Sequence, residues 1–197
     1  MKFDNLSKLV GDKGNLKVYN QSSMVEMALE WSATLRIFEK GSKGKIQKII
    51  EEMLAPLSSV KTQETFNSLH KETCKKIIKE INLNKKLRKR RRKVSFGEAA
   101  KIVDMSLKVY VYLCKMPDTH TSVRLVNFLN CPIDNNNLEW LKKHAKEGRD
   151  AFEEINSLAD IHEIEYYNVQ RALRETPAYQ KHQMSLPDID EILIHSY

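Results

Sequence analysis

Two side chains of this sequence combine suitable chemistry with suitable placement for nucleophilic catalysis, Lys101 and Asp134. Lys101 lies in the second turn of a predicted apolar helix, just after a run of arginines and lysines. The helix N-terminus and the neighbouring cations both disfavour an ammonium there, and a partly neutral lysine is a competent amine nucleophile. Asp134 follows Pro132 at the predicted start of a later helix, which either Asp134 or one of Asn135 to Asn137 caps. As the cap, Asp134 would have its carboxylate held in a fixed position.

The helix that carries Lys101 is predicted over about residues 96–115. Ser95 and Glu98 have the spacing of a capping box, which marks the helix start. The segment is apolar on nearly every side, so other helices should pack around it. One polar stripe runs along a single face of this helix, and it consists of Lys101, Asp104 and Lys108. A simpler interpretation is that this stripe faces solvent and that Asp134 is only a helix cap.

Composition favours an all-α fold. Glycine and proline are few, at 6 and 5 of 197 residues, and no stretch alternates apolar with polar residues as a half-buried strand would. A chain of this length can bury a sizeable core. We expect a single compact multi-helix domain, built as one body or as two helical lobes around the central helix at 96–115, with residues 1–20 forming a loose N-terminal arm.

Other sequence features exclude several function classes. No apolar stretch approaches the length of a membrane span, and the N-terminus lacks the apolar core of a signal peptide. The three cysteines, Cys74, Cys114 and Cys131, are irregularly spaced in apolar surroundings, as is typical of reduced core residues in a cytoplasmic protein. We expect no metal site, because no paired ligand spacing is present, and no cofactor, because the chain has no P-loop or dinucleotide motif.

Positive charge is concentrated in one segment. Between residues 71 and 93, twelve lysines and arginines stand against two acids, whereas the chain from residue 134 onward has seven basic and thirteen acidic residues. The segment at 84–94 is predicted to be a basic loop or an extension of the preceding helix. Its basic side chains are Lys85, Lys86, Arg88, Lys89, Arg90, Arg91, Arg92 and Lys93. Such a patch is typical of a polyanion binder, which makes nucleic acid the first candidate partner. The alternative is a solvated face that only complements a helix dipole.

Two short motifs carry a family resemblance. Lys101-Ile-Val-Asp-Met-Ser-Leu-Lys108 and Pro132-Ile-Asp134 resemble the helix–hairpin–helix DNA glycosylases, and in particular their archaeal 8-oxoguanine branch. The resemblance spans about residues 96–141. It implies that Lys101 attacks the sugar C1′ and that Asp134 stabilises the developing positive charge and assists proton transfer. The Leu-Pro-Gly-x-Gly hairpin of that family is absent, and Ser95-Phe96-Gly97-Glu98 stands in its place.

The sequence therefore leads to two main hypotheses of different classes. The first is a DNA glycosylase and lyase, acting on DNA rather than RNA, in which Trp140 and Trp31 are candidates to hold a flipped base. Both tryptophans could equally be ordinary core residues. The second hypothesis is a non-enzymatic protein that grips nucleic-acid phosphates through residues 85–93. A helical interaction module that binds no nucleic acid is a further alternative.

Overall fold

The structure is a computed structural model, and it describes residues 21–90, 93–144 and 153–195. In these ranges the chain forms ten α-helices and no strand, which confirms the all-α prediction. The helices are α1 Gln21–Trp31, α2 Ser42–Leu54, α3 Gln63–Glu80, α4 Lys85–Arg90, α5 Phe96–Leu107, α6 Thr119–Val126, α7 Asn135–His144, α8 Glu163–Arg174, α9 Pro177–His182 and α10 Leu186–His195. Short 3-10 turns form at Ala33–Ile37, Leu57–Ser59 and Leu158–Asp160. The predicted arm at 1–20 lies outside the described residues.

Helix α5 is the centre of the domain, as its sequence predicts. The Ser95 hydroxyl accepts the Glu98 N–H at 3.2 Å, and the Glu98 carboxylate accepts the Ser95 N–H at 3.0 Å. Such a capping interaction stabilises a helix by about 1 kcal/mol. Helices α1, α3 and α8 contact α5, whose Ala99, Ile102 and Val103 are fully buried. One apolar core extends from α1 to α10, so the described helices form a single compact domain.

The end of the central helix differs from a regular α-helix. From Lys108 to Leu113 the backbone continues as a π-helix, in which each turn holds one more residue than an α-helical turn. Val109 and Val111 are buried in this turn, so the apolar pattern of the sequence continues through it. Asp118 then caps α6 by accepting the Thr121 N–H at 2.9 Å.

Two helices end earlier than the sequence predicts, α1 at Trp31 and α3 at Glu80, and an extended contact lies beyond both ends. The sequence predicts one helix to about Lys40 and another to about Leu83. Instead, Phe38 and Leu83 form an isolated antiparallel bridge, and the Asn84 N–H donates to Ile37 O at 2.7 Å. Both Phe38 and Leu83 are buried, so packing of these side chains overrides the local helical preference. The bridge separates α3 from the basic helix α4.

Gly97 sets the closest approach to the central helix. Its N–H donates to Ile161 O at 3.1 Å, which ties the first turn of α5 to the turn that precedes α8. A Cβ atom at this position would lie 2.7 Å from both Ile161 Cβ and Leu158 O. Neither atom can move away easily, because Leu158 O belongs to the backbone and Ile161 Cβ is attached directly to it. The contact therefore requires glycine at position 97.

We expect Gly97→Ala to lower the free energy of unfolding by about 1–3 kcal/mol, because the added methyl group overpacks a rigid contact. Urea unfolding followed by circular dichroism measures this change. Gly44→Ala is the matched control. Gly44 lies in α2 with open space around its Cβ position, so alanine there should stabilise by about 0.5–1 kcal/mol. Equal effects of the two substitutions would contradict the packing at Gly97.

Candidate active site and nucleic-acid interface

The two residues singled out for chemistry lie in contact. Lys101 Nζ is 3.6 Å from Asp134 Oδ2, although 33 residues separate them in the chain. Solvent reaches both side chains, which are 17% and 34% exposed. An ammonium and a carboxylate at this distance attract each other, whereas nucleophilic attack needs the free amine. The fold therefore brings this amine and this carboxylate together at a point that solvent reaches.

The start of α7 holds the Asp134 carboxylate in one orientation. Asp134 Oδ1 accepts the backbone N–H of Asn137 at 2.9 Å, which is the capping bond that the sequence predicts. Pro132 and Ile133 are buried immediately before the cap, so the chain approaches the helix along a fixed path. With Oδ1 used by the cap, Oδ2 faces Lys101.

The polar stripe of α5 does not face solvent. Asp104 and Lys108 are only 1% and 3% exposed, so the simpler interpretation of a solvated stripe is wrong for these two residues. Each is buried because another part of the chain supplies a partner of complementary chemistry. Buried charges are tolerated in proteins only when they are paired and hydrogen-bonded in this way.

Asp104 is the centre of a buried cluster that the sequence did not reveal. Its carboxylate accepts a hydrogen bond from the Tyr166 hydroxyl at 2.6 Å and lies 3.0 Å from His70 Nε2. The His70 ring stacks on Tyr166 with centroids 5.3 Å apart, and its Nδ1 lies 3.1 Å from the Tyr167 hydroxyl. His70 follows Phe66 by four residues on the apolar face of α3, and this spacing is the signal that could have indicated its burial.

This cluster has the chemistry of a structural element. Burial, together with the neighbouring Asp104, raises the pKa of Tyr166 well above its ordinary value, so the phenol stays a hydrogen-bond donor. Burial also raises the pKa of the Cys74 thiol, which lies 3.8 Å from His70 Nδ1. A thiol in this environment is not a thiolate nucleophile, although cysteine, histidine and aspartate lie together here.

Lys108 binds the C-terminal helix. Its ammonium lies 2.5 Å from Asp190 Oδ2 and 2.6 Å from Glu191 Oε1, both on α10. Burial by itself would lower the pKa of Lys108, but the two carboxylates outweigh it and raise that pKa. Lys108 therefore remains an ammonium and is not available as an amine nucleophile.

The basic segment forms the surface helix α4, whose N-terminal end is anchored to the domain. The Asn84 side chain accepts the Leu87 N–H at 3.1 Å and donates to Arg36 O at 3.1 Å, and Leu87 packs against the core. The side chains of Lys85, Lys86, Arg88, Lys89, Arg90 and Lys93 are exposed, and none has an ion-pair partner within the ranges that the structure describes. Arg91 and Arg92 lie outside those ranges.

Of the two tryptophans that are candidates for a base pocket, the structure describes the side chain of Trp140 only. Trp140 lies on α7, the helix that Asp134 caps, and its partly buried side chain packs against the core. The backbone of Trp31 ends α1, and its side chain lies outside the described part of the structure.

The ranges that the structure describes contain neither a metal-binding cluster nor a membrane-spanning helix. Within them, no group of three or more His, Cys, Asp or Glu side chains is arranged to hold a metal ion. None of the helices described is both long and apolar enough to cross a membrane.

Compared with known protein families, with curated proteins and with solved structures, the chain has no match.

A titration of Tyr112 tests how α10 docks on the central helix. The Tyr112 hydroxyl donates to Asp188 Oδ1 at 2.6 Å, and this bond, with burial, raises the pKa of Tyr112 to about 12. The stability that the bond contributes is present below about pH 10, the ordinary tyrosine pKa, and is lost as pH rises through about 12. Near-ultraviolet absorbance of tyrosinate, taken as the difference between wild type and Tyr112→Phe, measures this one group. A difference titration centred near pH 10 would contradict the contact.

Proposed function

We propose that this protein acts on nucleic acid as a DNA glycosylase and lyase, with Lys101 as the nucleophile and Asp134 as its acidic partner. The observation that supports the proposal is the contact between Lys101 Nζ and Asp134 Oδ2. It unites, at a solvent-accessible point, an amine and a carboxylate from distant parts of the chain.

The chemistry requires one proton to move before attack. Asp134 Oδ2 accepts a proton from the Lys101 ammonium, and the free amine then attacks the sugar C1′. An Nζ–C1′ bond forms while the bond from C1′ to the base breaks, and the bonding electron pair leaves with the base. Asp134 returns its proton to the departing base. The sugar ring then opens: the C1′–O4′ bond breaks, O4′ takes up a proton that Nζ loses, and a protonated Schiff base joins Lys101 to C1′.

Phosphate binding would fall to the basic helix α4 and the residues that follow it. The exposed cations precede α5, the helix that carries Lys101, by only a few residues. The sequence has no hairpin motif that could bind the DNA phosphates instead. The Asn84 side chain and the packing of Leu87 attach α4 to the domain, so its basic side chains lie on a defined surface. Duplex DNA is the expected partner because the resemblance of the Lys101 and Asp134 motifs is to DNA enzymes.

A second candidate function is binding of nucleic acid without catalysis. The exposed cations of α4, which have no ion-pair partner among the described residues, favour it, since a polyanion relieves their mutual repulsion whatever Lys101 does. The two candidates share the basic surface and differ only at the Lys101 site, so one chemical and one binding experiment separate them.

Borohydride trapping tests the catalytic proposal, because borohydride reduces a Schiff base to a stable amine. The substrates are duplexes that contain 8-oxoguanine, uracil or an abasic site. We expect wild type to form a covalent adduct and Lys101→Gln to form none. Asp134→Asn should slow the adduct by about 10²-fold or more, because asparagine keeps the cap but has no charge to stabilise the positive charge that develops at C1′.

Lys143→Gln is the control for trapping, since Lys143 is an exposed lysine on α7 away from the cap. It should leave the adduct unchanged. Failure of wild type to form an adduct on any substrate would overturn the lyase proposal. An adduct that persists in Lys101→Gln would assign the nucleophile to another residue.

The salt dependence of binding tests the basic surface. We compare wild type with the triple variant Arg88→Gln, Lys89→Gln and Arg90→Gln on a fluorescent duplex over a series of salt concentrations. Each lost phosphate contact lowers the slope of log affinity against log salt by about 0.9, so three lost contacts should lower it by about 2.7.

A second triple variant matches the change in net charge. Lys45→Gln, Lys48→Gln and Lys61→Gln remove three exposed cations from other parts of the surface, and this variant should keep nearly the wild-type slope. Equal losses in the two triple variants would mean that net charge, rather than the α4 surface, attracts the nucleic acid.

A further inference from the structure

Two lysines on one face of the central helix region each meet a carboxylate from later in the chain. Lys101 contacts Asp134 at the start of α7, and Lys108, seven residues on, contacts Asp190 in α10. The first pair is reached by solvent, whereas the side chains of the second are only 4% and 3% exposed. Asn137 is the residue that connects the two pairs.

Asn137 makes one contact with each carboxylate. Its backbone N–H donates to Asp134 Oδ1 at 2.9 Å, and its side-chain amide donates to Asp190 Oδ1 at 3.1 Å. The same amide donates to Pro132 O at 2.9 Å and lies 3.7 Å from Cys131 Sγ. With Asn137 only 2% exposed, these partners and not water satisfy its two amide hydrogens.

The Asp190 end of this chain of contacts is held firmly. Asp190 uses its other oxygen, Oδ2, to bind Lys108, so a shift of Asn137 would disturb a buried ion pair. Removing one partner of such a pair leaves an uncompensated charge, which is strongly unfavourable. The first turn of α7 is therefore connected to the central helix region through Asn137, Asp190 and Lys108.

We propose that Asn137 is a positioning residue for the Lys101–Asp134 site, a role that rests on the proposed function. Its backbone N–H occupies one Asp134 oxygen and leaves the other directed at Lys101. Its side chain fixes this turn to Asp190 and, through Lys108, back to the central helix. The geometry of the reacting pair then depends on the docking of α10, because Asp190 belongs to that helix.

Asn137→Ala tests the role, because it keeps the capping N–H and removes the side-chain bonds. We expect the single-turnover rate of adduct formation to fall by about 10-fold or more, as small misplacements of reacting groups do. Affinity for the abasic duplex should stay within about twofold, since the basic surface is unchanged. A lower rate with equal affinity is the result that a loss of stability alone would not give.

Ser106→Ala is the matched control. Ser106 is buried on the helix that carries Lys101, and its hydroxyl donates to Ile102 O at 2.9 Å, away from Asp134. This variant also loses a buried hydrogen bond but should keep the wild-type rate. All assays are run below the unfolding temperature of each variant. If Asn137→Ala does not fold, Asn137→Ser is measured instead, with the same expectations.

A second readout requires no DNA chemistry. Sulfosuccinimidyl acetate acylates free amines, and peptide mass spectrometry gives the rate at Lys101 relative to exposed Lys143. We expect Asp134→Asn to speed acylation of Lys101 by about two- to fivefold, the factor that a partly exposed ion pair contributes. Asn137→Ala should change the rate in the same direction, and Ser106→Ala should not change it.

The two readouts separate the two proposals. A wild-type acylation rate at Lys101 in Asn137→Ala would overturn the positioning role whether or not the lyase reaction occurs. No adduct in wild type would overturn the proposed function. In that case, faster acylation in Asn137→Ala would still support the control of the Lys101–Asp134 contact by Asn137.

Discussion

A buried charge must have a partner, and two of the buried charged residues in the central helix region draw theirs from distant segments. Asp104 and Lys108 are almost wholly removed from water, so each obliges a distant segment to supply a matching group. The partners come from α3 and α8 for Asp104 and from α10 for Lys108. The arrangement of these helices is therefore specified by polar contacts as well as by the apolar core.

Lys101 belongs to the same face but lies in a different environment. Its partner Asp134 is 34% exposed, and solvent reaches both members of this pair, whereas the Lys108 side chain is only 4% exposed. Its neighbours on the face are fully engaged in structural contacts. The face therefore has a buried ion pair at Lys108 and a partly exposed one at Lys101.

The sequence predicted what depends on near neighbours. The capping box at Ser95 and Glu98 and the cap at Asp134 each involve residues three apart, so their spacing alone indicates them. The environment of the α5 stripe could not be predicted in this way, because Tyr166 and Asp190 follow their partners by 62 and 82 residues. The sequence singled out Lys101 and Asp134, but no local pattern predicts that two residues 33 positions apart come into contact.

The π-helical turn at Lys108–Leu113 has a consequence for register. One extra residue in a turn rotates everything after it by about 100° relative to an α-helix. Deleting one residue from this turn would leave Lys101 and Asp104 in phase with their partners. It would turn Tyr112 away from Asp188 and bring a different side chain against α10. The contact of Tyr112 with α10 thus depends on the rotation that one extra residue in the π-helical turn gives to the chain.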